Sequence, residues 1–353
     1  MSRFFSKTHA SLTPYTPGEQ PKDRKYIKLN TNESPYPPSD LVRQRVASEC
    51  GRLMLYPDPD CSVLREKLSE KLGVDKEEIV VTNGSDEILN FAFLAFSDSQ
   101  HPVVFPDLTY GFYSVFAQLY NLPYEEIPLD ENFNIRVEDY IGINKNIFIP
   151  NPNAPTGITL PLSDIERIVA SNPNSVVVID EAYVAFGAES AVRLIDKYDN
   201  LIVTHTFSKS RSMAGGRLGF GVGNRGLMRD INTLRYSTNP YNINRLTMEA
   251  GIAVLDSDSY YLENCEKIIA TREKTAEELK KMGFEVLDSK ANFLFAKSDK
   301  ISGSELYEKL RRHGILVRHF EKPRIKEFNR ITVGTENEMN TLVSVISEIL
   351  KER

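Results

Sequence analysis

Five short runs of consecutive apolar residues, separated by stretches of helical periodicity, restrict this chain to a small set of folds. They are Ile79-Val80-Val81, Val103-Val104-Phe105, Ile147-Phe148-Ile149, Val176-Val177-Val178-Ile179 and Leu201-Ile202-Val203. Because they are continuous rather than alternating, they predict strands covered on both faces. Ile88 to Phe96 follows the first run with apolar residues at helical spacing, and Tyr113 to Phe116 follows the second. Ser163-x-x-Glu166, beside Ile165, Ile168 and Val169, has the form of a capping box that opens another helix. Strand-helix-strand repetition of this kind predicts an α/β fold, a mostly parallel sheet with helices on both sides.

Beyond about residue 255 the texture changes. A charged helical pattern from Tyr260 to Met282 closes at Gly283. Strands are expected at 284–286, 292–295, 316–318 and 330–333, with one helix near 306–312 and another from Glu336. This is the pattern of a smaller α+β domain. The expected organisation is an N-terminal arm over 1–30, packed on the small domain or on a partner subunit, a large domain over 31–254 and the small domain over 255–353. The proline- and asparagine-rich stretch from Tyr26 to about Ser39 is expected to lie across another surface.

With 353 residues, 41% of them hydrophobic, the chain can bury two cores. Its net charge of -6 argues against a nucleic-acid or membrane-surface protein that works through a general positive field. Three cysteines and five histidines show no metal-ligand spacing, so no metal is expected and the thiols read as those of a reducing compartment. No apolar run is long enough for a signal peptide or a membrane span, which makes a cytoplasmic location the expectation.

The chemistry gathers where the predicted strands end. Leu201–Val203 leads into Thr206-Phe207-Ser208-Lys209 and then Ala214-Gly215-Gly216-Arg217-Leu218-Gly219. A lysine at the open edge of an α/β sheet can form a Schiff base with a carbonyl cofactor, although a lone lysine is usually just solvated. Arg217, in a glycine-rich turn, can bring a planar fork close to an anion; alone it would read as a surface ion pair. Asp180 ends the run at Val176–Ile179, where a buried carboxylate needs a cationic or hydrogen-bonding partner. A pyridinium nitrogen is one such partner and a helix cap is the plainer alternative. Tyr183 follows, placed to bond a phenolic oxygen. Gly84-Ser85-Asp86 opens a helix after Ile79–Val81, where backbone N–H groups can hold phosphate, and Ser208 can add a hydroxyl. Tyr110, just after Val103–Phe105, can stack on a flat ring. Asn151-Pro152-Asn153-Ala154-Pro155-Thr156-Gly157 forms a rigid turn after the third run. Singly these are weak signals, but together five strand ends suit one phosphorylated aromatic aldehyde.

The same residues resemble the fold-type I aminotransferases that use pyridoxal 5'-phosphate. Ser208-Lys209 with Gly-Arg-Leu-Gly, and Asp180-Glu181-Ala182-Tyr183, carry that likeness. Asn-Pro-Tyr-Asn-Ile-Asn at 239–244, Ala291-Asn292-Phe293-Leu294 and Arg-Ile-Thr-Val-Gly at 330–334 are similar to the histidinol-phosphate branch. The likeness runs from Leu29 to Thr335. It implies that Lys209 binds the cofactor covalently and shuttles a proton, while Asp180 and Tyr183 bond its ring nitrogen and phenolic oxygen. Gly84, Ser85, Ser208 and Arg217 would cradle its phosphate, Asp86 would be a further cofactor contact and Tyr110 would stack on its ring. Tyr56 would reach the neighbouring active site of a homodimer. Arg330 would take the α-carboxylate of the amino acid, Arg318 the distal phosphate or carboxylate, and Tyr36 and Asn32 would close over the substrate.

The implied reaction exchanges an amino group between histidinol phosphate and 2-oxoglutarate, giving imidazole-acetol phosphate and glutamate in histidine biosynthesis. An aromatic-amino-acid aminotransferase and a phosphothreonine decarboxylase of the same fold are the alternatives. A non-catalytic binding protein on this fold would not need Lys209. A dinucleotide enzyme is disfavoured, because Gly219-Phe220-Gly221-Val222-Gly223 has the wrong spacing and lies too late. One position departs from the family pattern. The asparagine expected to touch the phenolic oxygen is replaced by Ala154, and Asn153, one residue earlier, is the expected substitute.

Overall fold

The structure is a computed structural model that describes residues 2–10 and 12–352. A two-residue strand, β1 (Ile27–Lys28), precedes the strands of the main sheet. These are β2 (Ile79–Thr82), β3 (Val103–Pro106), β4 (Tyr124–Ile127), β5 (Asn146–Pro150), β6 (Val177–Asp180), β7 (Leu201–Thr206) and β8 (Gly219–Gly223). Their order is β2-β8-β7-β6-β5-β3-β4. Neighbours from β7 to β4 are parallel, and β8 runs antiparallel to both β2 and β7.

The continuous apolar runs do what their pattern predicts. Val81, Val104, Ile147, Ile149, Val177, Ile179 and Val203 enter one core, and the alternate residues Val80, Val103, Phe105, Phe148, Val178 and Ile202 enter another on the opposite face. Each such side chain, fully buried, is worth about 1.5–3 kcal/mol. Two strands of this sheet escape the sequence reading. β4 is an edge strand of which only Ile127 is buried, so it carries no apolar run. β8 is glycine-rich because it lies against the turn after β2. A Cβ on Gly219 would meet Ser85 N at 2.4 Å and the Gly84 carbonyl carbon at 2.5 Å.

The helix expected near Ser163 spans Leu162–Ser171, but it begins after Pro161 without a side-chain cap. Glu166 does not reach back as a capping box would; it pairs with Lys197 and accepts from the Tyr198 hydroxyl at 3.0 Å. An ion-pair partner from a distant segment has taken the side chain that local spacing assigned to the helix end.

The second sheet contains β9 (Phe284–Val286), β10 (Phe293–Ser298), β12 (Arg318–His319) and β13 (Asn329–Thr332), antiparallel in the order β12-β13-β10-β9. The single strand expected at 316–318 is divided. Its first half forms β11 (Ile315–Leu316), which pairs in parallel with β1 of the N-terminal segment. Leu29 also joins the core of this sheet. The helix Asp258–Lys281 links the two bodies: Tyr261 packs in the first core, Cys265 and Ile268 in the second. Among the described residues no helix is long and apolar enough to cross a membrane.

Candidate active site

Strand ends of the main sheet open onto a cavity of about 280 Å³ lined by Ser85, Asp86, Tyr110, Ala154, Asp180, Tyr183, Ser208, Lys209 and Arg217, among others. A second cavity of about 540 Å³ lies outside it, lined by Tyr15, Asn32, Arg318, Lys322 and Arg330 and by residues shared with the first. The two meet at Thr31, Tyr110, Ala154, Tyr183 and Lys209. Lys209 therefore stands between an inner and an outer compartment. Its Nζ lies 3.4 Å from the Thr31 carbonyl and 5.8 Å from the centre of the Tyr183 ring.

Asp180 is buried at the end of β6. Its Oδ1 accepts from the Thr204 hydroxyl at 3.0 Å and its Oδ2 from the Tyr113 hydroxyl at 3.2 Å. Both donors are neutral, and burial pushes its pKa from the ordinary 3.8 up to about 6. A carboxylate held this way favours a cation or N–H donor placed in the cavity. Glu181, the next residue, turns away from the site and accepts from Ser190 Oγ at 2.5 Å and Ala191 N at 2.6 Å. It lies 3.3 Å from His205 Nε2, and burial raises the carboxyl and lowers the imidazole, which disfavours the charged form of each.

At the other end of the inner cavity the helix Ser85–Phe96 starts at Gly84, whose φ of +78° suits glycine. A Cβ there would meet Arg217 Nη2 at 2.6 Å, so the missing side chain is what lets the guanidinium close on the helix start. Arg217 Nη1 lies 3.4 Å from Ser208 Oγ, and Nη2 bonds Asp86 at 3.1 Å. Asp86 also accepts from the Tyr110 hydroxyl at 2.7 Å. Its carboxylate thereby positions Arg217 and Tyr110, while its backbone N–H lies in the first turn of the helix, at the edge of the inner cavity.

The outer cavity is cationic. Arg330 makes no ion pair among the described residues; its Nη2 bonds the Asn30 carbonyl at 3.1 Å and its Nε has no hydrogen-bond partner. What exposure it has is to the cavity, and burial lowers its basicity. Arg318 donates to the carbonyls of Thr16 and Pro17 at 3.3 and 3.4 Å.

Three expected residues sit elsewhere or act otherwise. Asn153 does not reach the cavity, because its Nδ2 is spent on the Leu108 carbonyl at 2.9 Å and Thr156 Oγ1 at 3.1 Å; Ala154 faces the cavity in its place. Asn32 borders the outer cavity, but its amide bonds Tyr183 and Thr332 rather than pointing at a substrate. Tyr36 lines neither cavity and packs on the second core with the Lys267 ammonium 5.7 Å from its ring centre. Tyr56, expected at a neighbouring subunit's site, is 78% exposed and stacks on Tyr241 at 4.5 Å, away from both cavities of its own chain. Sequence reasoning missed Tyr15, Tyr113 and Thr204. Thr204 had a signal, since it lies two residues before Thr206 on one face of β7. Tyr15 and Tyr113 had none among 16 tyrosines.

The model of the aminotransferase class I and II family matches residues 24–346. A histidinol-phosphate aminotransferase from Brachyspira hyodysenteriae is 48% identical over 353 residues, covering 99% of this chain and all of that one. Another, from Clostridium acetobutylicum, is 46% identical over 99% of this chain and all of its own length. The crystal structure of a histidinol-phosphate aminotransferase from Clostridium acetobutylicum, 25% identical, superposes with a TM-score of 0.85 over 93% of this chain and 100% of that one. The Sinorhizobium meliloti histidinol-phosphate aminotransferase in complex with pyridoxal-5'-phosphate shares the fold, with a TM-score of 0.90 at 22% identity, over 100% of this chain and 99% of that one. Matched over most of its length by the family model and end to end by these relatives, the chain belongs to the class I and II aminotransferases.

Proposed function

We propose that this protein is a pyridoxal-phosphate-dependent histidinol-phosphate aminotransferase, exchanging an amino group between histidinol phosphate and 2-oxoglutarate in cytoplasmic histidine biosynthesis. The observation that carries the reading is the pair of joined cavities. An inner one has a buried carboxylate at one end and an anion cradle at the other, and an outer one has two arginines free of acid partners among the described residues, with Lys209 between them.

The inner residues fit the cofactor. Asp180, deprived of a cation, suits its ring nitrogen, and the start of the helix at Ser85 with Ser208 and Arg217 suits its phosphate. Tyr110 is placed to stack on the ring and Tyr183 to donate to the phenolic oxygen. When bound, pyridoxal phosphate supplies the aldehyde and electron-accepting ring on which an amino group is exchanged. Lys209 would anchor it and, once the substrate's amine has released its ε-amine, would carry the proton between the substrate Cα and the carbon that accepts it. Asp180 would keep the ring nitrogen protonated. Arg330 binds the α-carboxylate of glutamate through its planar fork, while Arg318 neutralises the distal phosphate or carboxylate, so one outer cavity serves both substrates. Tyr15, stacked on Phe112 at 4.4 Å, shields this compartment from water.

The active unit in this reading is a homodimer. Leu53, Met54, Leu55 and Tyr56 are consecutive and each more than half exposed, an apolar stretch that association would cover. Tyr56 then serves the phosphate end of the neighbouring subunit's site. Incubating purified protein with the cofactor, histidinol phosphate and 2-oxoglutarate should yield glutamate faster than phenylalanine does, and phosphothreonine should release no carbon dioxide. Absence of glutamate from histidinol phosphate refutes the substrate assignment.

A further inference from the structure

Ala154 leaves the inner cavity without the amide that the family resemblance places there, and Asn153 does not replace it. Tyr183 is then the side chain left to donate to the cofactor's phenolic oxygen, and the direction of its hydroxyl proton matters. Asn32 Nδ2 lies 2.9 Å from that hydroxyl, the one hydrogen bond it makes among the described residues. We propose that Asn32 is a positioning residue that commits the Tyr183 hydroxyl to donate into the cavity, compensating for the amide absent at Ala154. This rests on the function proposed above.

The hydrogen-bond pattern fixes the polarity. Thr332 Oγ1 accepts from the Asn32 backbone N–H at 2.9 Å and donates its own proton to Asn32 Oδ1 at 3.0 Å. With the oxygen end of the Asn32 amide on Thr332, the nitrogen end faces Tyr183. A phenol has one proton; with Asn32 donating to its oxygen, that proton is left for an acceptor in the cavity. The chain from Thr332 through Asn32 to Tyr183 also polarises each bond in turn. Asn32 is held rigidly for this task. It is 1% exposed, its backbone has a left-handed φ of +55°, and its carbonyl accepts from Asn292 Nδ2 at 3.0 Å. Thr332 lies two residues beyond Arg330 on β13, and Arg330 itself bonds Asn30. The strand that carries the carboxylate clamp thus also orients the hydroxyl of Tyr183.

The test reads the bound chromophore rather than turnover. A hydrogen bond donated to the phenolic oxygen stabilises its anion and lowers the pH at which the chromophore loses its proton. In Asn32→Asp the shape and the left-handed backbone are kept, but the carboxylate accepts from Tyr183 and turns its proton away from the cavity. The midpoint of the visible-band titration of the substrate-free holoenzyme should rise by roughly one pH unit, the size of one lost hydrogen bond to a charged oxygen. Asn32→Gly, which suits the positive φ and adds no charge, should shift it in the same direction.

Lys209, Arg330 and Tyr15 are the titratable neighbours of Tyr183, and they stay in place in these variants. On a Tyr183→Phe background neither substitution should add to the shift, whereas a shift that persists there comes from charge alone and overturns the proposal. Ala154→Asn should return the Asn32→Asp midpoint toward the wild-type value. An unchanged midpoint in Asn32→Asp and Asn32→Gly, with Tyr183→Phe still shifted, overturns the proposal and leaves the proposed function standing. A protein that takes up no chromophore at Lys209 overturns both.

Discussion

Asp180→Asn should make the cofactor-free protein more stable and the enzyme much worse. In the folded chain burial raises this carboxyl to about 6 from an ordinary 3.8, so the unfolded chain gives up the proton first. Below about pH 4 both states are protonated and nothing is lost. As the pH climbs from there through 6, the folded state keeps a proton that the unfolded state has released, and stability falls until the group ionises in both. The displacement is about two pH units at about 1.4 kcal/mol each, a ceiling of roughly 3 kcal/mol. Asparagine has no such penalty. The Thr204 and Tyr113 hydroxyls, which donate to the carboxylate, can each turn to accept from an amide.

Urea unfolding of the cofactor-free protein checks this at about pH 4 and about pH 7.5. The variant should gain about 1–3 kcal/mol over wild type at the higher pH and almost nothing at the lower. Glu181 is raised mainly by its own burial and less by the Asp180 charge, so most of its contribution is common to both proteins. Activity with cofactor should fall at least about tenfold, from the loss of one charge-assisted hydrogen bond. A stability difference that is the same at both pH values refutes the reasoning.

Two further outcomes follow from the geometry. Arg330→Lys keeps the charge but loses the planar fork, so KM for glutamate should rise roughly 10- to 100-fold with a smaller change in kcat; an unchanged KM removes Arg330 from the carboxylate site. Gly219→Ala puts a methyl group 2.4 Å from Ser85 N, which should cost about 1–3 kcal/mol in a denaturant titration and weaken cofactor binding by displacing the helix start; wild-type values for both refute the close approach.

The sheet was legible because a strand covered on both faces must be apolar at every position, a local signal that survives without knowledge of its neighbours. Asp180, Lys209, Arg217 and Tyr110 were legible for a related reason: parallel strands put all their C-terminal ends on one side, so residues just beyond them must gather. β8 and β4 were not legible. One needs glycine for a contact with residues more than 130 positions away in sequence, and the other lies at an edge where little is buried.

Side-chain direction was settled by the tertiary structure alone. Asn153 and Ala154 are neighbours in one turn, and only the Leu108 carbonyl, brought close by the fold, draws the asparagine away from the cavity. Asn32 reads as a substrate contact until Thr332, 300 residues later, claims its oxygen. The direction of the Asp86 carboxylate is set by Arg217 and Tyr110, which both bond it. The amino-acid pattern thus determines which segments form the sheet and which residue types stand at its rim. Where each polar group points depends on partners distant in sequence, because a buried donor or acceptor must be satisfied by whatever the fold brings within about 3 Å.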